Sequence, residues 1–252
     1  MILTIDSGNT RTKWAIFNQA NAVAARGVID NSQLAAVPPE WAGCALAVIS
    51  NVAGEVVAKR LKDMLVGMPR QYWLTSSAEA FGIVNAYEQP VRLGSDRWAA
   101  MIGARNYTAQ HCLVVNAGTA LTMDALLRDA DGERCRFAGG AIVPGLHAMQ
   151  QALRQRTHGV DAAIERDGRY AELPTNTADA VYTGALMAMT GAIEHMSLRL
   201  QRLTDSSVHC MLSGGDAALL LESLRSSAVI SDIVLVEDLV LRGLLVIGRE
   251  IR

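Results

Sequence analysis

The chain has 252 residues, of which 50% are hydrophobic and 19% charged, with a formal net charge of −2; intrinsic disorder of the bulk of the chain needs the opposite balance and is excluded. Lys and Arg number 23 against 25 Asp and Glu, with no five-residue basic run, so the electrostatic footprint of a nucleic-acid binder is missing. Cys44, Cys112, Cys135 and Cys210 stand far apart without a Cys-x-x-Cys pair, which implies neither a zinc site nor a disulfide framework.

In chain order, apolar patterning predicts strands over 2–6, 12–17, 23–29, 45–51 and 70–74, then 112–116, 121–127, 136–143, 208–213 and 233–236. Helices are expected over 54–67, 95–106, 145–156, 177–203 and 216–225. The fourth is the longest, with Ala185, Met189, Ile193 and Met196 on one apolar face that must be buried somewhere. The N-terminal run ends in Asp6 and lacks the basic and apolar regions of a secretory signal. Cys44 to Ile49 is too short to cross a bilayer, and Leu239 to Ile247 is broken by Arg242. A cytoplasmic chain with no membrane partner is the expectation.

One pattern is written twice. Leu3 to Ile16 (LTIDSGNTRTKWAI) aligns with Leu113 to Leu126 (LVVNAGTALTMDAL) at a constant offset of 110, matching Gly8 with Gly118 and Thr12 with Thr122. Each copy is an apolar strand, a polar turn built on Gly and Thr, and a second strand. Two domains of similar fold follow, divided near 106–111, giving an α/β organisation of residues 1–108 and 109–252.

The turns are where chemistry can sit. In Asp6-Ser7-Gly8-Asn9-Thr10, followed by Arg11, Thr12 and Lys13, Gly8 lets the backbone approach a ligand, the amides donate and Lys13 adds positive charge, which is the chemistry of a phosphate cradle. Asp6 at its head suits a hydrated Mg²⁺; an ordinary hairpin turn accounts for the same pentapeptide. Asn116-Ala117-Gly118-Thr119-Ala120 is a second cradle. Gly139-Gly140 before Pro144-Gly145, and Gly214-Gly215 before Asp216, let a backbone lie flat against a purine and ribose or serve as helix-packing turns. In Tyr87-x-x-Pro90-x-x-Leu93-Gly94-Ser95-Asp96-Arg97, Asp96 can take a proton and Arg97 can hold a carboxylate, or the pair caps a helix. His147, His158, Arg154 and Arg156 read as surface or helix-terminal residues.

These segments, in this order and with Asn176-Thr177 between them, resemble the bacterial type III pantothenate kinases over Leu3 to Asp216 and again at Leu239 to Ile247. The resemblance implies two duplicated ribonuclease H-like domains with ATP in the cleft between them, and phosphorylation of pantothenate as the first step towards coenzyme A. It implies ATP binding by Asp6, Ser7, Gly8, Asn9, Thr10, Arg11, Thr12, Lys13, Thr119, Gly214 and Gly215, with Mg²⁺ in the outer shell of Asp6. Asp96 matches the general base, while Tyr87, Gly94, Ser95, Asp96, Arg97 and Thr177 match pantothenate-binding positions near a homodimer interface.

The chain departs from the family where an acidic ligand for an activating K⁺ or NH₄⁺ is usual and Asn116 stands instead. Loss of that charge puts the cation requirement in doubt. Asp124 is the nearby acid that could replace it, although strand alternation points it outward. The phosphate loops alone leave open another small-molecule kinase of the superfamily, or a non-enzymatic nucleotide-binding regulatory protein.

Overall fold

The computed structural model describes residues 1–129, 132, 134–156 and 168–251; His158 lies outside them. Two compact units form. The first comprises Met1–Ala109, Leu126–Gly139 and Asp238–Arg252, the second Gln110–Ala125 and Gly140–Glu237. The first unit therefore gathers two segments that a simple division of the chain into halves assigns to the second.

The first unit is built on a five-stranded sheet in the order β3-β2-β1-β4-β5, from β1 (Ile2–Ser7), β2 (Arg11–Phe17), β3 (Val23–Asp30), β4 (Leu46–Asn51) and β5 (Gln71–Trp73). β1 pairs antiparallel with β2 and parallel with β4. Ile2, Leu3, Thr4 and Ile5 are all fully buried, as a central strand covered on both faces requires. Leu3, Ile5, Trp14, Ile16, Ile49 and Leu61 form one core cluster with Trp41, where Trp14 and Trp41 meet edge to face at 6.0 Å.

Helices α1 (Glu55–Met64) and α2 (Ser95–Arg105) follow their strands. Two short strands, β6 (Glu79–Ala80) and β7 (Ile83–Asn85), pair antiparallel, and the start of β10 (Cys135–Pro144) adds parallel to β7.

In the second unit β8 (Cys112–Ala117), β9 (Ala120–Arg128), β11 (His209–Ser213) and β12 (Ile233–Leu235) run in the order β12-β11-β8-β9-β10. β11 lies parallel to both β8 and β12. Helices α3 (Leu146–Arg156), α4 (Thr177–Thr204) and α5 (Ala217–Leu224) belong to this unit. The α4 stripe is buried within it at Ala185, Met189 and Ile193, packed towards α3, α5 and β8. That stripe is already covered and calls for no second chain.

A C-terminal helix, α6 (Leu239–Glu250), was not among the expected elements. It joins the first unit because it crosses α2 at glycine: a side chain at Gly243 would collide with the Ala99 carbonyl, and one at Gly103 would stand 2.8 Å from the Leu239 carbonyl. Leu239, Leu241, Leu244 and Ile247 are buried there. Asp124 is likewise corrected. It is 1% exposed, because Met123, Asp124, Ala125 and Leu126 are all buried on β9 and alternation fails. Among the described residues no helix is long and apolar enough to cross a membrane.

Candidate active site

The first cradle is the β1–β2 hairpin turn. Its ends are in register at Ser7 and Thr12, and Gly8 N donates to Arg11 O at 3.1 Å. The hydroxyls of Ser7 and Thr12 are fully buried and bond each other at 2.9 Å, while Thr12 donates onward to Asn31 Oδ1 at 2.8 Å. Their side chains thus brace the turn from within, leaving only their backbones to a ligand. Asn9, Thr10 and Arg11 are exposed.

Asp6 closes β1 and faces Lys13 across the hairpin register. Burial first, then the charges of Asp96 and Asp238, push the Asp6 carboxyl up to about 7, against the pull of Lys13. One of its oxygens, Oδ1, is buried without a hydrogen-bond partner. A carboxylate with an unsatisfied buried oxygen and two like charges nearby is a place where a hydrated cation is favoured, so the Asp6 position fits the Mg²⁺ that accompanies a nucleotide.

Asp96 sits in the first turn of α2, its Oδ1 accepting from Arg97 N at 2.8 Å. Burial raises its pKa, opposed by the Arg97 amide and charge. A side chain at Gly94 would stand 2.5 Å from that Oδ1, so Gly94 clears room for the carboxylate. Ser95 spends its hydroxyl on Ser50 Oγ at 2.9 Å, tying α2 to the end of β4. Like Ser7 and Thr12, it has only its backbone left for substrate.

Arg97 is 7% exposed, its guanidinium 5.9 Å from the Tyr87 ring and 5.7 Å from Phe137. Those two rings stack at 5.9 Å, and Asn85 holds the Tyr87 segment by accepting from Tyr87 N at 3.0 Å. The first unit thus gathers Asp6, Lys13 and Asp96, with Arg97 next to Asp96 in α2 and packed on Tyr87.

The second cradle lies in the second unit and closes one residue sooner, with Gly118 N donating to Ala120 O at 3.0 Å. Gly145 N takes the Thr119 carbonyl at 3.0 Å and Asp216 N takes that of Ala117 at 3.2 Å. Both approaches demand glycine. A side chain at Gly145 would strike the Gly118 carbonyl, and Gly214, at φ +102, lies against the Ala117 carbonyl and the Asn116 amide. Asn116, Thr119, Gly214 and Gly215 are thereby gathered in one unit.

Burial raises the Asp216 pKa and the charge of His147 lowers it; His147 itself is exposed in the first turn of α3, a surface and helix-terminal position. Thr177 stands apart at the first turn of α4, where the cap is Asn176, accepting from Asp179 N at 3.0 Å.

Two residues escaped the sequence reading. Asn31 bonds the first cradle, and Asp238 lines a cavity of about 360 Å³ with Lys13 and Arg26. Asp238 precedes an apolar helix, the pattern of an N-cap, yet its side chain makes no cap bond and pairs with Arg26 at 3.4 Å.

The type III pantothenate kinase family model matches residues 2–199. A type III pantothenate kinase of Methylobacillus flagellatus is 41% identical over 248 residues, covering 96% of each chain; that of Aromatoleum aromaticum is 41% identical over 254 residues, covering 99% of this chain and 98% of the relative. Among solved structures, a Sinorhizobium meliloti protein provisionally assigned as a 2-dehydro-3-deoxygalactonokinase superposes with a TM-score of 0.63 at 16% identity, covering 100% of this chain and 99% of the other. That likeness carries the fold alone: α/β, with a ribonuclease H-like architecture. With the family model spanning most of the chain and near-full-length relatives at this identity, the chain belongs to the type III pantothenate kinase family.

Proposed function

We propose that this protein transfers the γ-phosphoryl group of ATP to the primary hydroxyl of pantothenate, giving 4′-phosphopantothenate and ADP in coenzyme A synthesis. The observation that carries the reading is the neighbourhood of Asp96: a half-buried carboxylate whose charge acts on Asp6 of the first phosphate turn, next in the chain to a buried arginine fork. A proton acceptor, a carboxylate binder and a phosphate cradle in one unit are the parts this transfer needs.

The acceptor oxygen attacks the γ-phosphorus, the bond to the ADP oxygen breaks, and the hydroxyl proton passes to Asp96. Its raised pKa favours receipt of that proton as the transition state is passed. Lys13 and the turn amides oppose the charge spread over the phosphoryl oxygens, in a reaction governed by positioning and electrostatics. Asp6 is the residue that would hold the hydrated Mg²⁺ of the nucleotide, which would supply neutralisation of phosphate charge.

Arg97 holds the pantothenate carboxylate in a planar fork, braced by Tyr87 and Phe137. Thr119, Gly214 and Gly215 serve the nucleotide. The enzyme works in the cytoplasm as a homodimer, a reading supported by the exposed apolar side chains Tyr170, Leu173 and Met187 of the second unit. Asn116 leaves the second turn neutral, and activity is independent of K⁺.

The test is acceptor choice. Pantothenol, which lacks the carboxylate, is a poor acceptor for wild type, and Arg97→Lys raises KM for pantothenate about 10-fold or more while changing that for pantothenol little. Equal loss on both acceptors removes Arg97 from carboxylate recognition. Absence of pantothenate-dependent ADP release removes the function.

A further inference from the structure

The first phosphate turn closes on one backbone bond of its own, from Gly8 N to Arg11 O, and takes further bonds from Asn31. In a tight hairpin the carbonyl of the first turn residue accepts from the amide three residues on, here Gly8 from Arg11. That carbonyl is instead turned out to Asn31, whose Nδ2 donates to it at 2.7 Å. The backbone N–H of Asn31 takes the Thr10 carbonyl at 3.1 Å.

The orientation of the Asn31 carboxamide is determined. Thr12 has one hydroxyl proton and gives it to Asn31 Oδ1 at 2.8 Å, so Ser7 is the donor in the Ser7–Thr12 bond. A directed chain results: Ser7 to Thr12, Thr12 to Asn31, Asn31 to Gly8. Asn31 is itself held from both sides. Asp30 ends β3 by accepting from Ser32 N at 3.0 Å and Ser32 Oγ at 2.7 Å, and Arg60 donates to the Asn31 carbonyl at 2.7 Å.

The peptide bonds of this turn are trans, and a trans peptide points its N–H opposite its C=O. Drawing the Gly8 and Thr10 carbonyls to Asn31 therefore turns the amides of Asn9 and Arg11 the other way. Two amides turned away from Asn31, on a turn followed by Lys13 and with Asn9, Thr10 and Arg11 exposed, are the donors an anion cradle needs.

We infer that Asn31 is a positioning residue for the nucleotide: through its carboxamide and its own amide it holds two carbonyls of the first phosphate turn and so aims the Asn9 and Arg11 amides at the ATP phosphates. This rests on the kinase reading above.

The test measures binding of a non-hydrolysable ATP analogue with Mg²⁺ by calorimetry, which needs no acceptor and is informative even if pantothenate is not the substrate. Asn31→Ala weakens the analogue about 10-fold or more, and Asn31→Asp, which keeps the acceptor for Thr12 but loses the donor to Gly8, does so at least as much. Thr12→Val, which frees the carboxamide to rotate, gives a smaller loss in the same direction and reads the same device if Asn31→Ala does not fold. KM for pantothenate stays within about 2-fold in each variant.

Arg60→Ala separates positioning from mere structure, since it loosens the segment without touching the carboxamide and leaves analogue binding within about 2-fold. Weakening in Asn31→Asp alone marks simple charge repulsion and overturns the inference. So does an equal loss in Arg60→Ala, or unchanged binding in both Asn31 variants.

Discussion

The two turns proposed to hold phosphate are built on one sequence pattern yet are held in place by different means. β1 and β8 start 110 residues apart, at Ile2 and Cys112, but the first turn closes from Gly8 to Arg11 and the second from Gly118 to Ala120. In the first, turn carbonyls are taken by Asn31. In the second they are taken by the backbone amides of Gly145 and Asp216. The charges differ too: Asp6, Arg11 and Lys13 align with Asn116, Leu121 and Met123. Duplication kept the frame, and the charged chemistry was concentrated in one copy while the other became a neutral, glycine-packed support. The first turn is accordingly sensitive to side-chain chemistry, the second to added bulk.

The largest effect is expected at Asp96, beside the charged turn. Asp96→Asn lowers kcat by about 10²- to 10⁴-fold, as loss of a general base does, while nucleotide and pantothenate binding stay close to wild type. Steady-state kinetics with a binding measurement checks this, and a variant keeping more than about half of kcat shows Asp96 to be a helix-start residue only.

Next comes the neutral turn. Gly214→Ala puts a side chain at a positive φ against backbone, and destabilises the protein by about 2–4 kcal/mol. Gly215→Ala meets open space and costs no more than about 0.5 kcal/mol. Denaturant titration of the pair measures the contrast. Equal costs would mean that close packing does not hold the second turn.

The third expectation concerns charge crowding at the first turn. Asp6 holds its proton up to about 7 in the folded chain, against 3.8 for the unperturbed group. The folded state therefore binds that proton more tightly than the unfolded one, and stability is lost as pH rises towards about 7. Melting of the nucleotide-free protein should fall by several degrees between about pH 5 and pH 8, and Asp6→Asn should flatten the decline. An unchanged slope in the variant would place the proton elsewhere.

The smallest effect belongs to Asn116. With no carboxylate at the head of the second turn, adding K⁺ or NH₄⁺ to a Tris-buffered assay changes the rate by less than about 2-fold, and Asn116→Asp creates a dependence by restoring a charge that needs a counter-ion. Several-fold activation of wild type contradicts this, and its disappearance in Asp124→Asn would point to the buried acid on β9.

The frame of both turns was legible in the sequence because strands buried on one or both faces leave apolar runs bounded by Gly, Asn and Thr. β1, β2, β8 and β9 fall within a residue or two of their expected ranges. What was not legible depends on distant contacts. α6 buries Val240 and Leu241 as well as Leu239 and Leu244, so its apolar face is wide and its charged side is reduced to Arg242, Arg249 and Glu250, and Arg242 reads as an interruption of an apolar run. β6 and β7 are too short to carry a period at all.

Asp124 misleads by the alternation rule, since β9 is covered on both sides there. The candidate site divides similarly. Asp6, Lys13, Asp96 and Arg97 stand in motifs whose residue types announce their chemistry. Ser7, Thr12 and Ser95 look like ligands in the same motifs but turn inward, which only the fold reveals, and Asn31 lies 19 residues from the Thr12 hydroxyl it accepts from.

A phosphate cradle and a pantothenate-specific acceptor site combined in one unit, as proposed, make ATP turnover depend on pantothenate. The most direct measurement incubates the purified chain with ATP, Mg²⁺ and separate acceptors, pantothenate, pantothenol, glucose and acetate, following ADP release and the mass of the product. The account predicts ADP release that depends on pantothenate, in step with a singly phosphorylated pantothenate. ADP release that is indifferent to acceptor, or faster with a sugar or acetate, would contradict it.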